Sequence, residues 1–228
     1  MLDYEKLPRK FPELFSNVDA PIRIITDPIV IAQWQERRRS QLAQYGEPLT
    51  WAEIGIVYDD PYIVILRDLV EFPDGSFNSY MRLFHRADLE GETNLAVAIL
   101  PELEGRIYLL RLFRHATRRW HYEIPRGFGE HGIATEDQAR NELREEIDGE
   151  VEELVDLGIL YLNTGLETTC VNLFFARLKS GGKPNDFEGI ERSLLVSLAE
   201  LEELIVSGKI TDSFTIAAYT RAKLNHLI

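Results

Sequence analysis

From Trp51 the pattern of the chain changes to strands. WAEIGIVYDD and PYIVILRDLVEF are rich in β-branched and aromatic residues and predict strands. Pro73-Asp74-Gly75 signals a turn, and FNSYMRLFHR is the return strand. Leu95–Leu100 (LAVAIL) is an apolar run suited to a buried strand. The chain turns at Glu102–Gly105, and RIYLLRLFRH predicts another strand. HYEIP, Leu154–Leu162 and Val171–Leu178 complete the set.

Helical spacing appears around these strands. Thr135 and Gln138 form a capping-box pattern, so a helix is expected from about Glu136 to Asp148. Ala139, Leu143 and Ile147 give it an apolar stripe. Ser197 and Glu200 cap a helix that ends near Gly208, and Thr211 or Asp212 starts a last one. Ser180–Asp186 (SGGKPND) reads as a loop. Hairpins and scattered helices, without regular strand–helix alternation, predict an α+β class.

Residues 1–50 read as a separate extension, and residues 51–228 as the main domain. Pro8, Pro12, Pro21 and Pro28 break the extension into short pieces. Ile22–Ile25 is a candidate strand. Thr26-Asp27-Pro28 opens a helix that stops before Gly46. That helix carries Arg37-Arg38-Arg39, which reads first as a solvated face and second as a contact for a partner subunit or an anion.

Composition narrows the function classes. A hydrophobic fraction of 45% supports a packed core, and no apolar run has the length of a membrane span. MLDYEKLPRKF lacks the apolar core of a signal peptide, so a cytoplasmic location is the default. The single Cys170 excludes an intramolecular disulfide and a thiolate cluster, and its apolar neighbours suggest a buried, inert thiol. The net charge of −13 argues against broad nucleic-acid binding. It leaves room for a small phosphate-bearing ligand held locally.

Candidate chemistry concentrates in Pro125–Val151, PRGFGEHGIATEDQARNELREEIDGEV. A glycine-rich turn runs into a helix carrying Glu142, Glu145 and Glu146. Glu145 lies about 60° to one side of Glu142 and Glu146 about 40° to the other, so all three share one arc. Such clusters are usually a solvated face. The preceding glycines and the lack of lysines placed to pair with all three acids favour a divalent metal site, with Mg2+ the natural ion and a phosphorylated ligand its companion.

The same stretch resembles the Nudix box: Gly, five residues, Glu, seven residues, then Arg-Glu-U-x-Glu-Glu-x-Gly-U, with U a large apolar residue. Gly127 takes the first glycine, Glu142 and Leu143 the Glu-U pair, and Glu145 and Glu146 the paired glutamates. Ile133 stands where the first glutamate belongs, Asn141 where the arginine belongs and Asp148 where the second glycine belongs. Gly149 stands at the last apolar position, as if the glycine were displaced by one residue. The resemblance runs from roughly Trp51 to the C-terminus and is closest to the ADP-ribose pyrophosphatase branch. Its further carriers are RLFRH, WHYEIPRG, LNTGLETTCVNLFFA with Thr164 for a proline, FEGIE and LEELIVSGKITDSFTIAA.

The resemblance implies a Nudix fold, a mixed sheet packed between helices, with a β-rich and helical N-terminal extension. It implies that Glu142, Glu145 and Glu146 hold Mg2+, or Mn2+, together with the backbone carbonyl of Arg126. Glu188 matches a loop glutamate that helps activate the attacking water. Arg114 matches a phosphate-contacting arginine, with Arg111 the alternative. Glu123 and Gly127 match positions near the substrate. Trp120 and Tyr122 are candidates to stack on a base, or belong to the core or a dimer interface. A homodimer is implied as well. The implied activity is hydrolysis of a phosphoanhydride in a nucleoside diphosphate derivative such as ADP-ribose. The alternative is a Nudix-fold binding or regulatory protein with little turnover, its box weakened at Ile133 and Asn141.

Overall fold

The computed structural model describes residues 2–90, 96–129, 132–182 and 189–228. The chain forms two compact units. The first takes Met1–Glu92 and Asn163–Thr169, the second Thr93–Leu162 and Cys170–Ile228. The compact units thus do not divide at residue 50. The strands after Trp51 pair with the N-terminal segment, because β1 (Arg23–Ile25) and β3 (Ile63–Glu71) share hydrogen bonds.

The first unit also holds α1 (Leu7–Lys10), α2 (Pro28–Tyr45), β2 (Gly55–Asp59), β4 (Phe77–His85) and α3 (Arg86–Glu90). The sheet is antiparallel and centred on β3. β4 runs along the whole of one edge, so β1 and β2 share the other. The strand expected from Trp51 starts only at Gly55. Leu49–Ala52 form a tight helical turn instead, and Arg67 Nη1 takes the carbonyls of Thr50 and Glu53 at 2.9 and 3.1 Å. On β3, Val64, Leu66 and Asp68 point to one face, as period-two alternation requires. Val64 and Leu66 pack on Leu7, Phe15, Phe84 and Leu89. Asp68, only 1% exposed, accepts from Tyr4 Oη and Arg82 Nε, each at 2.6 Å. The Arg82 guanidinium also donates to the Leu14 carbonyl and lies over the Phe15 and Phe84 rings. Burial and the Asp68 charge hold the Tyr4 hydroxyl well above its ordinary pKa.

The second unit holds β5 (Ala96–Leu103), β6 (Arg106–Arg114), β7 (Arg119–Glu123), β8 (Arg126–Gly127), α4 (Thr135–Ile147), β9 (Glu150–Tyr161), β10 (Cys170–Ser180), β11 (Ile190–Ser197), α5 (Leu198–Val206) and α6 (Ser213–Leu224). Its sheet has the order β11-β6-β5-β10-β9, with β5 and β10 parallel and the other neighbours antiparallel. Alternation along the strands feeds two cores. Val97, Ile99, Leu110, Phe174 and Ala176 pack with Ala139, Leu143 and Ile147 of α4. Ala98, Leu100, Leu109, Leu173 and Phe175 pack with Leu201 of α5 and Phe214, Ala218 and Ala222 of α6. The result is a mixed sheet between helices, as expected. β11, which no pattern had flagged, extends the sheet beside β6.

The sheet is split at its centre. β5 and β6 pair only near their turn, at Glu102↔Ile107 and Leu103↔Arg106. Farther on, β6 pairs with β7 and β5 with β8. The outer edges of β6 and β5 are taken by β11 and β10, so β7, Pro125 and β8 fill the wedge between the parting strands. Among the described residues, no helix is long and apolar enough to cross a membrane.

Candidate active site

The wedge delivers a short crossing of main chain to α4. Gly127 lies against Glu142 so closely that a Cβ there would overlap the carboxylate, well inside 3.0 Å. Only glycine permits that approach. One residue earlier, the Arg126 amide donates to Glu146 Oε2 at 3.2 Å. Glu142 and Glu146 are one helical turn apart, and both are half-buried under the crossing. Glu145, between them in sequence, is exposed. The acidic arc is therefore divided: two carboxylates meet the glycine crossing and one faces outward.

Gln138 was expected to cap the helix with Thr135, and it does not. The N-cap is Ala134, without a side-chain hydrogen bond, and helix α4 begins at Thr135 itself. Gln138 is only 3% exposed and its Nε2 donates to Glu142 Oε1 at 2.6 Å. An amide held in this way cannot also reach back to the helix start. Its Oε1 is buried with no hydrogen-bond partner among the described residues.

A second set of charges lies behind the crossing. Glu123 is 3% exposed and accepts from both Nε and Nη2 of Arg114, the closer contact at 2.6 Å. Arg126 Nη2 lies 2.8 Å from the same carboxylate. Arg126 Nη1 lies 3.4 Å from Asp212, and its guanidinium stacks over Phe214. Asp212 caps α6 by accepting from the Thr215 amide and hydroxyl at 2.9 and 2.7 Å. The Thr215 hydroxyl in turn accepts from the Ile124 amide at 3.1 Å. Burial and the Glu123 charge push the Asp212 carboxyl above its ordinary pKa; burial pushes Arg126 below its own. The chain Arg114–Glu123–Arg126–Asp212–Thr215 pins the crossing to β6, β7 and α6.

Arg111 is placed apart from this network. It pairs with Glu191 and lies 4.6 Å over the Trp120 ring. Of the two arginines left open by strand alternation, Arg114 is the one tied to the crossing, with 34% of its side chain exposed. Trp120 is exposed and edge-on to Phe113, whereas Tyr122 packs against the α5–α6 core. Asn141 Oδ1 accepts from Arg144 Nη1 at 3.1 Å. Cys170 is half-buried at the start of β10. Glu188 lies outside the described residues.

Asp148 and Gly149 finish α4. Asp148 itself takes the left-handed turn, with φ of 49°. Gly149 donates to the Leu143 carbonyl, and a Cβ on it would come within 3.1 Å of that oxygen. The displaced glycine thus sits where a side chain would be tight against the Leu143 carbonyl and Ile147.

The carboxylate pair offers hard oxygen donors of the kind Mg2+ and Mn2+ prefer. Among the described residues, however, no group of three or more His, Cys, Asp or Glu side chains is assembled to hold a metal. Sequence reasoning missed Gln138 as a partner of Glu142, although the four-residue spacing was a signal. It missed the side-chain role of Asp212 beyond its cap.

The mixed sheet between helices is the α+β arrangement expected of a Nudix fold. No protein-family model matches the sequence, and no curated protein does. Among solved structures, the chain is similar to one described as an ADP compounds hydrolase, with a TM-score of 0.63 and 20% sequence identity. The match covers 75% of this chain and 90% of that one. At that identity the likeness is one of fold.

Proposed function

We propose that the chain hydrolyses a phosphoanhydride bond in a nucleoside diphosphate derivative, with ADP-ribose the leading substrate and AMP and ribose 5-phosphate the products. The observation that carries this reading is the seating of Glu142 and Glu146 against Gly127 and the Arg126 amide. The fold likeness to a protein described as acting on ADP compounds supports the substrate class. Bound Mg2+ would neutralise diphosphate charge and acidify a water. Glu142 and Glu146 hold the ion, with Glu145 and the Arg126 carbonyl as the further ligands the resemblance implies. Gln138 keeps Glu142 in place. The part of the Arg114 guanidinium not engaged by Glu123 contacts a phosphate oxygen. Glu188 takes the proton of the attacking water. A homodimer belongs to the same reading and is checked by sedimentation.

Purified protein is incubated with ADP-ribose and Mg2+ and assayed for AMP, beside Glu146→Gln. AMP release abolished by that change supports the hydrolase. Tight binding without turnover, with Mn2+ and with several diphosphates, supports a second reading. In that reading the chain is a Nudix-fold binding or regulatory protein. The exposed Glu145 and the box substitutions at Ile133 and Asn141 are what favour it.

A further inference from the structure

A groove in the first unit plays no part in the site above. We propose that it binds a phosphate ester carrying a planar ring, a ligand of mononucleotide size. The cavity, of about 380 Å3, is lined by Trp34, Arg37, Arg38 and Gln41 of α2 and by Phe77 and Asn78 of β4. It lies at the small-molecule end of the range for ligand sites.

The four α2 residues follow the spacing of a single helix face. On an amphipathic helix such a face is apolar. Here the 18-residue helix buries only Trp34 and Leu42, and arginines occupy the positions beside Trp34. Arg37 Nε reaches the Gln33 carbonyl and Arg38 Nη1 reaches Gln41 Oε1, each at 3.3 Å. Among the described residues neither arginine has a carboxylate partner. Two adjacent cations without a carboxylate partner among the described residues make a local positive patch suited to an anion.

The remaining polar groups agree. Gln41 Oε1 is engaged by Arg38, and Asn78 Oδ1 accepts from the Ser79 amide at 2.8 Å. Each amide oxygen accepts one bond, and each NH2 can donate. The groove presents guanidinium and amide donors beside aromatic rings. Phe77 is 39% exposed and Trp34 is buried at 8%, and both line the groove. Guanidinium groups match phosphate bidentately, and a ring face accepts a planar group. This assignment stands whether or not the proposed hydrolysis is correct.

The test is calorimetric titration of the full chain in EDTA with AMP, inorganic phosphate and adenosine. AMP is expected to bind, with phosphate weaker by about tenfold or more and adenosine weaker still. The Arg37→Gln/Arg38→Gln double variant is expected to lose affinity for AMP by about tenfold or more, with its unfolding midpoint unchanged. Arg114→Gln, in the other unit, tests instead for AMP held at the proposed hydrolytic site. Phe77→Ala narrows the gap between AMP and phosphate, and this arm stands even where the double variant fails to fold. The proposal is overturned by no AMP binding, by unchanged binding in the double variant, by loss confined to Arg114→Gln, or by adenosine binding as tightly as AMP.

Discussion

Gly127→Ala isolates what the glycine crossing does. The added Cβ overlaps the Glu142 carboxylate, which is the far end of a flexible side chain and can move. Moving it breaks the 2.6 Å hydrogen bond from Gln138, worth about 0.5–1.5 kcal/mol, and leaves a strained rotamer costing about as much again. The stability loss is then about 1–3 kcal/mol, a fall in Tm of roughly 2–12 °C for a chain of this size. Function should suffer far more. A catalytic group misplaced by about 1 Å costs on the order of 100-fold in rate. Thermal unfolding is measured beside AMP release from ADP-ribose with Mg2+, for Gly127→Ala, Glu142→Gln and the pair together. The double variant should be no slower than Glu142→Gln alone, because both changes remove one group. Wild-type turnover in Gly127→Ala, or a fully additive double variant, refutes the assignment of Glu142 to the site through this contact.

Other changes probe the buried charges and the helix end. Asp68→Ala strands the Arg82 cation in the first unit and should cost about 3–5 kcal/mol in urea unfolding, against about 1 kcal/mol for Tyr4→Phe. Glu123→Gln weakens the hold on Arg114 and Arg126 and should raise KM for a diphosphate more than it lowers Tm; the opposite ranking would reduce Glu123 to a structural ion pair. Asp148→Gly relieves a left-handed turn and should gain up to about 1 kcal/mol, whereas Gly149→Ala should lower Tm because its Cβ crowds Leu143 and Ile147. Ile133→Glu with Asn141→Arg should tighten Mg2+ binding or raise rate, and an unchanged metal titration counts against the view that these positions weaken the site.

Elements with a strong local period were legible before the structure. β3, β4, β6 and β10 form where β-branched, aromatic and apolar runs place them, and α4 follows Ala139, Leu143 and Ile147. The Ser197–Glu200 capping box forms as read, because nothing competes for those exposed side chains. The Thr135–Gln138 pair fails because Glu142 and burial claim Gln138, a competition that lies outside its own four residues. Partner choice was illegible for the same reason. Alternation in Ile63–Glu71 places Asp68 inward but does not say that Tyr4 and Arg82 meet it there. The parting of β5 from β6 leaves no mark on either strand, since each finds another partner and stays buried. The acidic arc was correct as a helical wheel, yet a wheel cannot tell which of its members a distant glycine will cover.

The wedge between β5 and β6 also sets an order of assembly. Its two walls are braced by β10 and β11, which come from far later in the chain. The crossing at Arg126–Gly127 lies between walls that those long-range pairings brace, and such pairings form slowly. Folding of the second unit should therefore end where its chemistry is proposed to begin. The Arg126 amide should be among the last to gain protection from hydrogen exchange during refolding, well after the amides of β10. In the native state it should open more readily than they do.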